Sequence, residues 1–334
     1  MNKRVLGADV LLLLTAAIWG FGFVAQRSGM LYVGPFAYNG IRFLLGSISL
    51  LPLIAWNVRK CAKNKPGEKS LMPFIFPSFL AGTCLFVAVT FQQLGMMFTT
   101  AGNAGFITGL YVVLTPIFGI FLGRKTGTFT WIGAVLTLTG LYFLSSASRL
   151  GSINPGDVVI AVSAVFWTFH VLIIDRLVQK TDPIVLSSGQ FAFAGLYALA
   201  AAFLIEPFLS RRLLTLSPEL LSSGLCVWKS FPALIGGLAS GGVPLSLVSD
   251  AMIPILYGGL ASVGIGYTLQ VVAQRDAPPA HATIILCLEG SFAALGGILL
   301  LNEPLGKRTI IGFALMLAGM LVSQWELIAG AEKK

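Results

Sequence analysis

Charged residues are scarce in this sequence. They make up 10% of it, against about 25% in a typical soluble domain. With 56% hydrophobic residues, a chain in water would have too little polar surface to cover itself, so a soluble globular domain is excluded. Histidine is nearly absent, with only His170 and His281. The four cysteines (Cys61, Cys84, Cys226 and Cys287) stand alone without C-x-x-C spacing. This pattern supports neither a disulfide framework nor a metal centre. G-x-S-x-G, H-E-x-x-H and G-x-x-x-x-G-K-[ST] are all missing, so nothing points to a hydrolase elbow, a zinc protease or direct drive by ATP. No cofactor is called for. The net charge of +9 does not signal nucleic acid, because the basic residues lie in short connections rather than on a face interleaved with aromatics.

What the sequence does have is a series of apolar stretches of about twenty residues, the signature of membrane-spanning helices. An outer-membrane barrel would need alternating strands of about ten residues, and the runs here are continuous. The fold class expected is an all-α polytopic membrane protein with about ten transmembrane helices, at roughly 9–26, 35–58, 73–94, 100–123, 128–146, 156–175, 184–205, 251–273, 280–301 and 307–328. The N-terminal run lacks a small-residue cleavage site and continues into a Trp/Phe-rich stretch, so it reads as a retained first span. Ten spans put both termini on one side. If that side is the cytoplasm, fourteen Lys and Arg lie inside and seven outside, with Arg42 within a span. That asymmetry follows the positive-inside bias, and the connection "NVRKCAKNKPGEKS" contributes most to it.

The chain also resembles itself. An offset of 148 residues pairs Trp19 with Trp167, Pro35 with Pro183 and Phe43 with Phe191. An offset of 179 pairs Ala101 with Ala280, "IG" at 132–133 with "IG" at 311–312, and Gly140 with Gly319. Residues 9–146 and 156–328 therefore read as two copies of a five-helix unit. An odd number of spans per copy forces opposite orientations, giving an inverted-topology repeat of the kind that encloses a site near the membrane midplane. Residues 206–250 break the symmetry as an extracytoplasmic insertion. It reads either as amphipathic turns on the membrane surface or as a loop.

Depth along each span selects the candidate residues. At about 1.5 Å per residue, Trp19 and Trp167 fall near the midplane, away from the interfacial belts tryptophan favours. They suit the wall of a central cavity, with Phe23 a further candidate; the plainer role is filling space between helices. Glu289, in "IILCLEGSFAALGG", also falls near the centre, where a charged side chain costs about 2.5–3.5 kcal/mol on insertion scales. Three roles are open to it: binding solute or carrying a coupling proton, pairing with Arg42 or His170, or accepting hydrogen bonds from backbone at a break near Gly290. Arg42 either faces inward or snorkels towards the surface. His170 is either a proton-handling group or a packed, hydrogen-bonded one. Gln92, Gln93 and Asn103 gather towards the outside, and Tyr267, Gln270 and His281 towards the inside. These uncharged groups would either orient a small polar solute or bond helix to helix. The recurrence of Ala101, Gly105 and Gly109 is a close-packing signal.

Two copies of five helices, with "TTAGNAGFITGLYVVLTPIFGIFLG" in the first and "LEGSFAALGGILLLNEPLGKRTIIGFALMLAG" in the second, resemble the EamA-type drug/metabolite transporter superfamily. The resemblance covers nearly the whole chain except 206–250. It implies a ten-helix carrier of the bacterial inner membrane with cytoplasmic termini, many members being exporters of amino acids or other metabolites. The family's Leu-Glu-Pro pattern is here Leu288-Glu289 followed by Gly290. Glu303 matches its helix-end glutamate, and the equivalent position in the first copy is Arg124. The function expected is a secondary-active or facilitative exporter of a small molecule, in contact with membrane lipid and not with nucleic acid; a homodimer is one arrangement the sequence allows. The alternative is an integral membrane enzyme acting on a lipid or polyprenyl substrate. That would need acids or histidines clustered at one membrane face, and the loops carry few.

Overall fold

Four helices of this protein begin at a proline, where the fixed φ suits the first turn and the missing N–H costs nothing. The computed structural model describes residues 3–64, 72–99, 101–144, 155–208, 245–301 and 306–331. Among these the elements are α1 (Lys3–Gly29), α2 (Pro35–Asn64), α3 (Met72–Gly95), α4 (Ala101–Thr108), α5 (Tyr111–Phe121), α6 (Thr128–Leu144), α7 (Pro155–Leu177), α8 (Pro183–Leu204) and α9 (Leu245–Leu256). A π-helical segment (Tyr257–Tyr267) follows, then α10 (Thr268–Ala273), α11 (Pro279–Leu286), α12 (Leu288–Leu301) and α13 (Lys307–Ala331). No strand occurs among the described residues. Eight stretches are long and apolar enough to cross a membrane, whereas Thr128–Phe143 and Ile310–Ser323 are apolar but shorter. Most of the 206–250 segment, with Cys226, lies outside the described residues, as does Glu303.

Three stretches expected as continuous helices are interrupted. Between α4 and α5 the backbone tightens: Leu110 N–H donates to Ile107 O at 3.1 Å and Val112 N–H to Gly109 O at 3.0 Å. Between α11 and α12 the break falls at Cys287, not at Gly290, whose N–H donates back to Cys287 O at 3.1 Å. The third stretch contains the π-helical segment, which bonds to α1. Trp19 Nε1–H donates to Ser262 O at 3.2 Å, Thr15 Oγ1–H to Gly266 O at 3.2 Å, and Tyr257 O–H to Ile18 O at 2.8 Å. Apolar periodicity does not register a one-residue change of winding, because side chains on both sides of it remain apolar.

The two copies meet through their own equivalent residues. On α6 and α13, a Cβ added at Gly133 would lie 2.6 Å from Gly319 O, and one at Gly140 would lie 2.7 Å from Gly312 O. Gly133 and Gly312 are repeat mates, as are Gly140 and Gly319. The contact is therefore reciprocal, and the two helices run antiparallel with backbones touching. Side chains at these glycines would force the helices apart. Trp19 and Trp167 also meet, with ring centroids 6.3 Å apart, as do Phe43 and Phe191 at 6.2 Å. Inter-helix packing repeats in the same way: α3 packs on α7 as the segment from α9 to α10 packs on α1, and α12 packs on α1 as α4 and α5 pack on α7. Two copies turned over relative to one another account for all of these contacts.

The copies differ at one helix start. In the second, Asp182 caps α8, its Oδ1 accepting from Ile184 N–H at 2.9 Å and Val185 N–H at 3.1 Å, the usual service of an N-cap acid. The equivalent residue ahead of α2 is Gly34, which has no side chain to offer. Fully buried Glu206, just beyond α8, takes over: its Oε1 accepts from Phe36 N–H and Ala37 N–H, both at 2.8 Å.

Candidate functional site

The interruptions in the helices converge on the middle of the bundle. Cys287 Sγ–H donates to Gly109 O at 3.4 Å, so the break between α11 and α12 touches the break between α4 and α5. Two residues beyond each break stand the site's two central groups. Tyr111 O–H donates to Glu289 Oε1 at 3.2 Å, and both residues are buried. Glu289 lies in the first turn of α12, where the helix dipole favours a carboxylate. Gly20 of α1 lets the helices close around it: a Cβ there would fall 2.7 Å from Glu289 O.

This carboxylate faces a cavity of about 30 Å³, room for a water or two. Trp19, Trp167 and Tyr267 form its aromatic wall. Tyr267 lies 4.5 Å from Trp19 and stacks at 5.9 Å on Trp167. Phe43 and Phe191 support Tyr267 from behind, each at 5.9 Å. Phe23, Gln26, Gln92, Thr108, Val171, Ser262, Gln270 and Leu286 complete the polar and apolar lining with Tyr111. Gln92 Nε2–H donates to Thr108 Oγ1 at 3.1 Å, and Gln270 Nε2–H to Gln274 Oε1 at 3.0 Å.

Seven of the residues singled out from sequence line this cavity: Trp19, Phe23, Gln92, Trp167, Tyr267, Gln270 and Glu289. His170 stands one layer back, edge-on to Trp167 at 5.7 Å and to Tyr267 at 6.5 Å, with Nε2 bonded to Gln190 Oε1 at 2.9 Å. Arg42 is also outside the lining and does not snorkel. It is 1% exposed, its Nε–H donates to Asn39 Oδ1 at 2.9 Å, and its guanidinium lies 4.9 Å from the Phe43 ring and 5.4 Å from that of Tyr38. Its helix packs on α8 and on the π-helical segment, and a Cβ added at Gly258 would lie 3.4 Å from Arg42 Cδ, so the outward route that an exposed arginine would take is closed. Neither Arg42 nor His170 pairs with Glu289; its described partner is Tyr111. Asn103 lies on α4, and its side chain is outside the described residues. Gln93 is buried away from the cavity.

Sequence reasoning missed Gln26, Thr108, Tyr111, Val171, Ser262 and Leu286. Gln26 lies two turns beyond Trp19 on the same helix, a spacing that could have found it. Tyr111 had no such signal, because its role depends on two breaks meeting.

At one end of the bundle two polar contacts tie the copies together. His281 Nε2 bonds Asp9 Oδ1 at 2.9 Å and its Nδ1 bonds Ser323 Oγ at 3.2 Å, linking α1, α11 and α13. Arg124 pairs with Asp175, linking the turn after α5 to the end of α7. A cleft of about 240 Å³ opens beside Arg124 and Lys125. It is larger than the central cavity but lacks the aromatic wall and the buried acid.

A bundle of apolar helices in two inverted copies, closed around a central polar cavity, defines a membrane transporter. The chain belongs to the EamA-like transporter family, whose pattern it matches twice, over residues 6–146 and 154–324. An uncharacterized transporter of Archaeoglobus fulgidus is 31% identical over 205 residues, which is 59% of this chain and 58% of that relative's own length. A second from the same organism is 24% identical over 327 residues, covering 97% of this chain and 98% of the relative. The mouse solute carrier family 35 member F6 is 22% identical over 49% of this chain and 48% of its own length. A solved crystal structure with 18% sequence identity superposes with a TM-score of 0.69 over 95% of this chain and 98% of that one, a likeness of fold.

Proposed function

We propose that this protein is a secondary-active or facilitative carrier that exports a small metabolite or amino acid from the cytoplasm by alternating access. The observation that carries the reading is the cavity itself: aromatic residues from both copies and a buried carboxylate meet where the two pairs of broken helices cross. A cavity of about 30 Å³ is too small for a metabolite, so binding requires the copies to separate at one end, as rocking about a midplane site entails. The Asp9–His281 and Arg124–Asp175 contacts hold one end shut. Their breakage on that side would open the cavity to the cytoplasm in an inner-membrane protein with cytoplasmic termini. The moving units are residues 9–146 and 156–328, with 206–250 as an extracytoplasmic insertion. Trp19, Phe23, Gln92, Trp167, Tyr267 and Gln270 contact solute, Asn103 lies along its path, and Glu289 anchors it. Arg42 and His170 hold the aromatic wall from behind.

Everted membrane vesicles containing the protein should accumulate a solute in a gradient-sensitive or downhill manner. Glu289→Gln should abolish this while the variant still reaches the membrane. Undiminished transport by that variant would remove Glu289 from the mechanism.

A further inference from the structure

The chemistry lining the cavity is lopsided. Among the described residues, Glu289 is its sole ionisable group of the Asp, Glu, Lys, Arg and His types, and no basic side chain lines it. The unmet hydrogen-bonding capacity is skewed the same way. Gln26 Oε1 and Gln270 Oε1 are buried acceptors without a described partner, whereas Trp167 Nε1–H is the one such donor in the lining among the described residues. Around them stand the faces and edges of Trp19, Trp167 and Tyr267, within 4.5–6.3 Å of one another.

The complement of a carboxylate and three electron-rich rings is a cation with N–H donors or polarised C–H groups. An ammonium nitrogen over indole and phenol faces is attracted by their quadrupoles, most strongly where water is excluded. The nearby carboxylate adds a charge-assisted partner. An anion would meet Glu289 with like charge. A neutral solute would give Glu289 no opposite charge and the rings no cation. Arg42 does not cancel the carboxylate, because its guanidinium is held against Tyr38 and Phe43 outside the cavity.

We infer that the solute carries a cationic nitrogen, a primary or quaternary ammonium, held between Glu289 and the Trp19–Trp167–Tyr267 wall. This deepens the carrier reading and rests on it. Purified protein in detergent is titrated with matched isosteres, followed by intrinsic tryptophan fluorescence. One pair is choline and its neutral carbon analogue 3,3-dimethylbutan-1-ol. The other set is phenethylamine, 2-phenylethanol and phenylacetate. Each cation should bind at least tenfold more tightly than its neutral or anionic isostere, and the preference should fall below threefold in Glu289→Gln. The wild-type comparison needs no variant to fold. Equal binding of the isosteres, preference for the neutral or anionic one, or no binding of any cation would overturn the inference. Flux assays in proteoliposomes separate the two claims. Saturable flux of a neutral or anionic solute alone sinks the ammonium assignment and leaves the carrier standing, whereas no solute flux sinks the carrier reading.

Discussion

The cap of α2 can be moved from one residue to another, and the structure says what each step should cost. Glu206 supplies one carboxylate oxygen to Phe36 N–H and Ala37 N–H, both at 2.8 Å, in a fully buried setting. Removing it in Glu206→Ala leaves two helix-terminal donors without that acceptor. Loss of an N-cap side chain costs about 0.5–2 kcal/mol, and loss of buried hydrogen bonds to a charged group costs about 1.5–3 kcal/mol each. A net loss of about 2–4 kcal/mol is expected. Gly34→Asp alone should also destabilise, because a Cβ at residue 34 would lie 2.6 Å from Glu206 Oε2 and bring a second carboxylate beside the first. The double variant recreates the arrangement of Asp182 ahead of α8. It should recover to within about 1 kcal/mol of the parent, given that Gly34 lies outside the left-handed region and a capping aspartate is a favoured residue there. Reversible unfolding in mixed micelles, followed by tryptophan fluorescence, gives the double-mutant cycle. A coupling energy of about 2 kcal/mol or more supports the shared cap. Single effects that add within about 0.5 kcal/mol would refute it.

Gly140→Val should destabilise by about 2–3 kcal/mol or more through overpacking, since its Cβ would press on Gly312 O, whereas Gly7→Ala, with nothing within 4 Å, should be neutral or stabilising by up to about 1 kcal/mol; thermal unfolding in detergent ranks the two. His281→Ala should cost about 1–3 kcal/mol for the two buried bonds it breaks, and a cysteine placed beside Pro279 should become more reactive to a hydrophilic maleimide as that end loosens. Unchanged labelling would mean the contact does not hold the end shut. Tyr111→Phe deletes the hydrogen bond to Glu289, worth about 1 kcal/mol; the concentration for half-maximal transport should change about fivefold with expression unaltered.

The membrane class, the helical content and the two copies could all be read from sequence, because each depends on regularities local to the chain. Apolar runs mark helices, and fixed offsets mark duplication. Pro35 and Pro183, Gly140 and Gly319, and Trp19 and Trp167 all fall at equivalent places in the fold. The helix interruptions could not be read in the same way. A change of winding at Gly109, Cys287 or Tyr257–Tyr267 alters backbone hydrogen bonding without altering hydrophobic pattern. The fate of Arg42 depended on which helices cover it. Sequence supplied an arginine within reach of a surface by its depth in α2, and packing by α8 and the π-helical segment removed that route.

The chain by itself determined that it lives in lipid and that it is a unit written twice, because burial of apolar length and repetition of residues are one-dimensional properties. Only the tertiary structure decided that Glu289 keeps company with Tyr111 rather than with Arg42 or His170. It alone decided that Glu206 completes a helix 170 residues away, and that Trp19, Trp167 and Tyr267 meet around one cavity. Those outcomes turn on distances between segments remote in sequence, which are fixed when two antiparallel copies close on one another and not before.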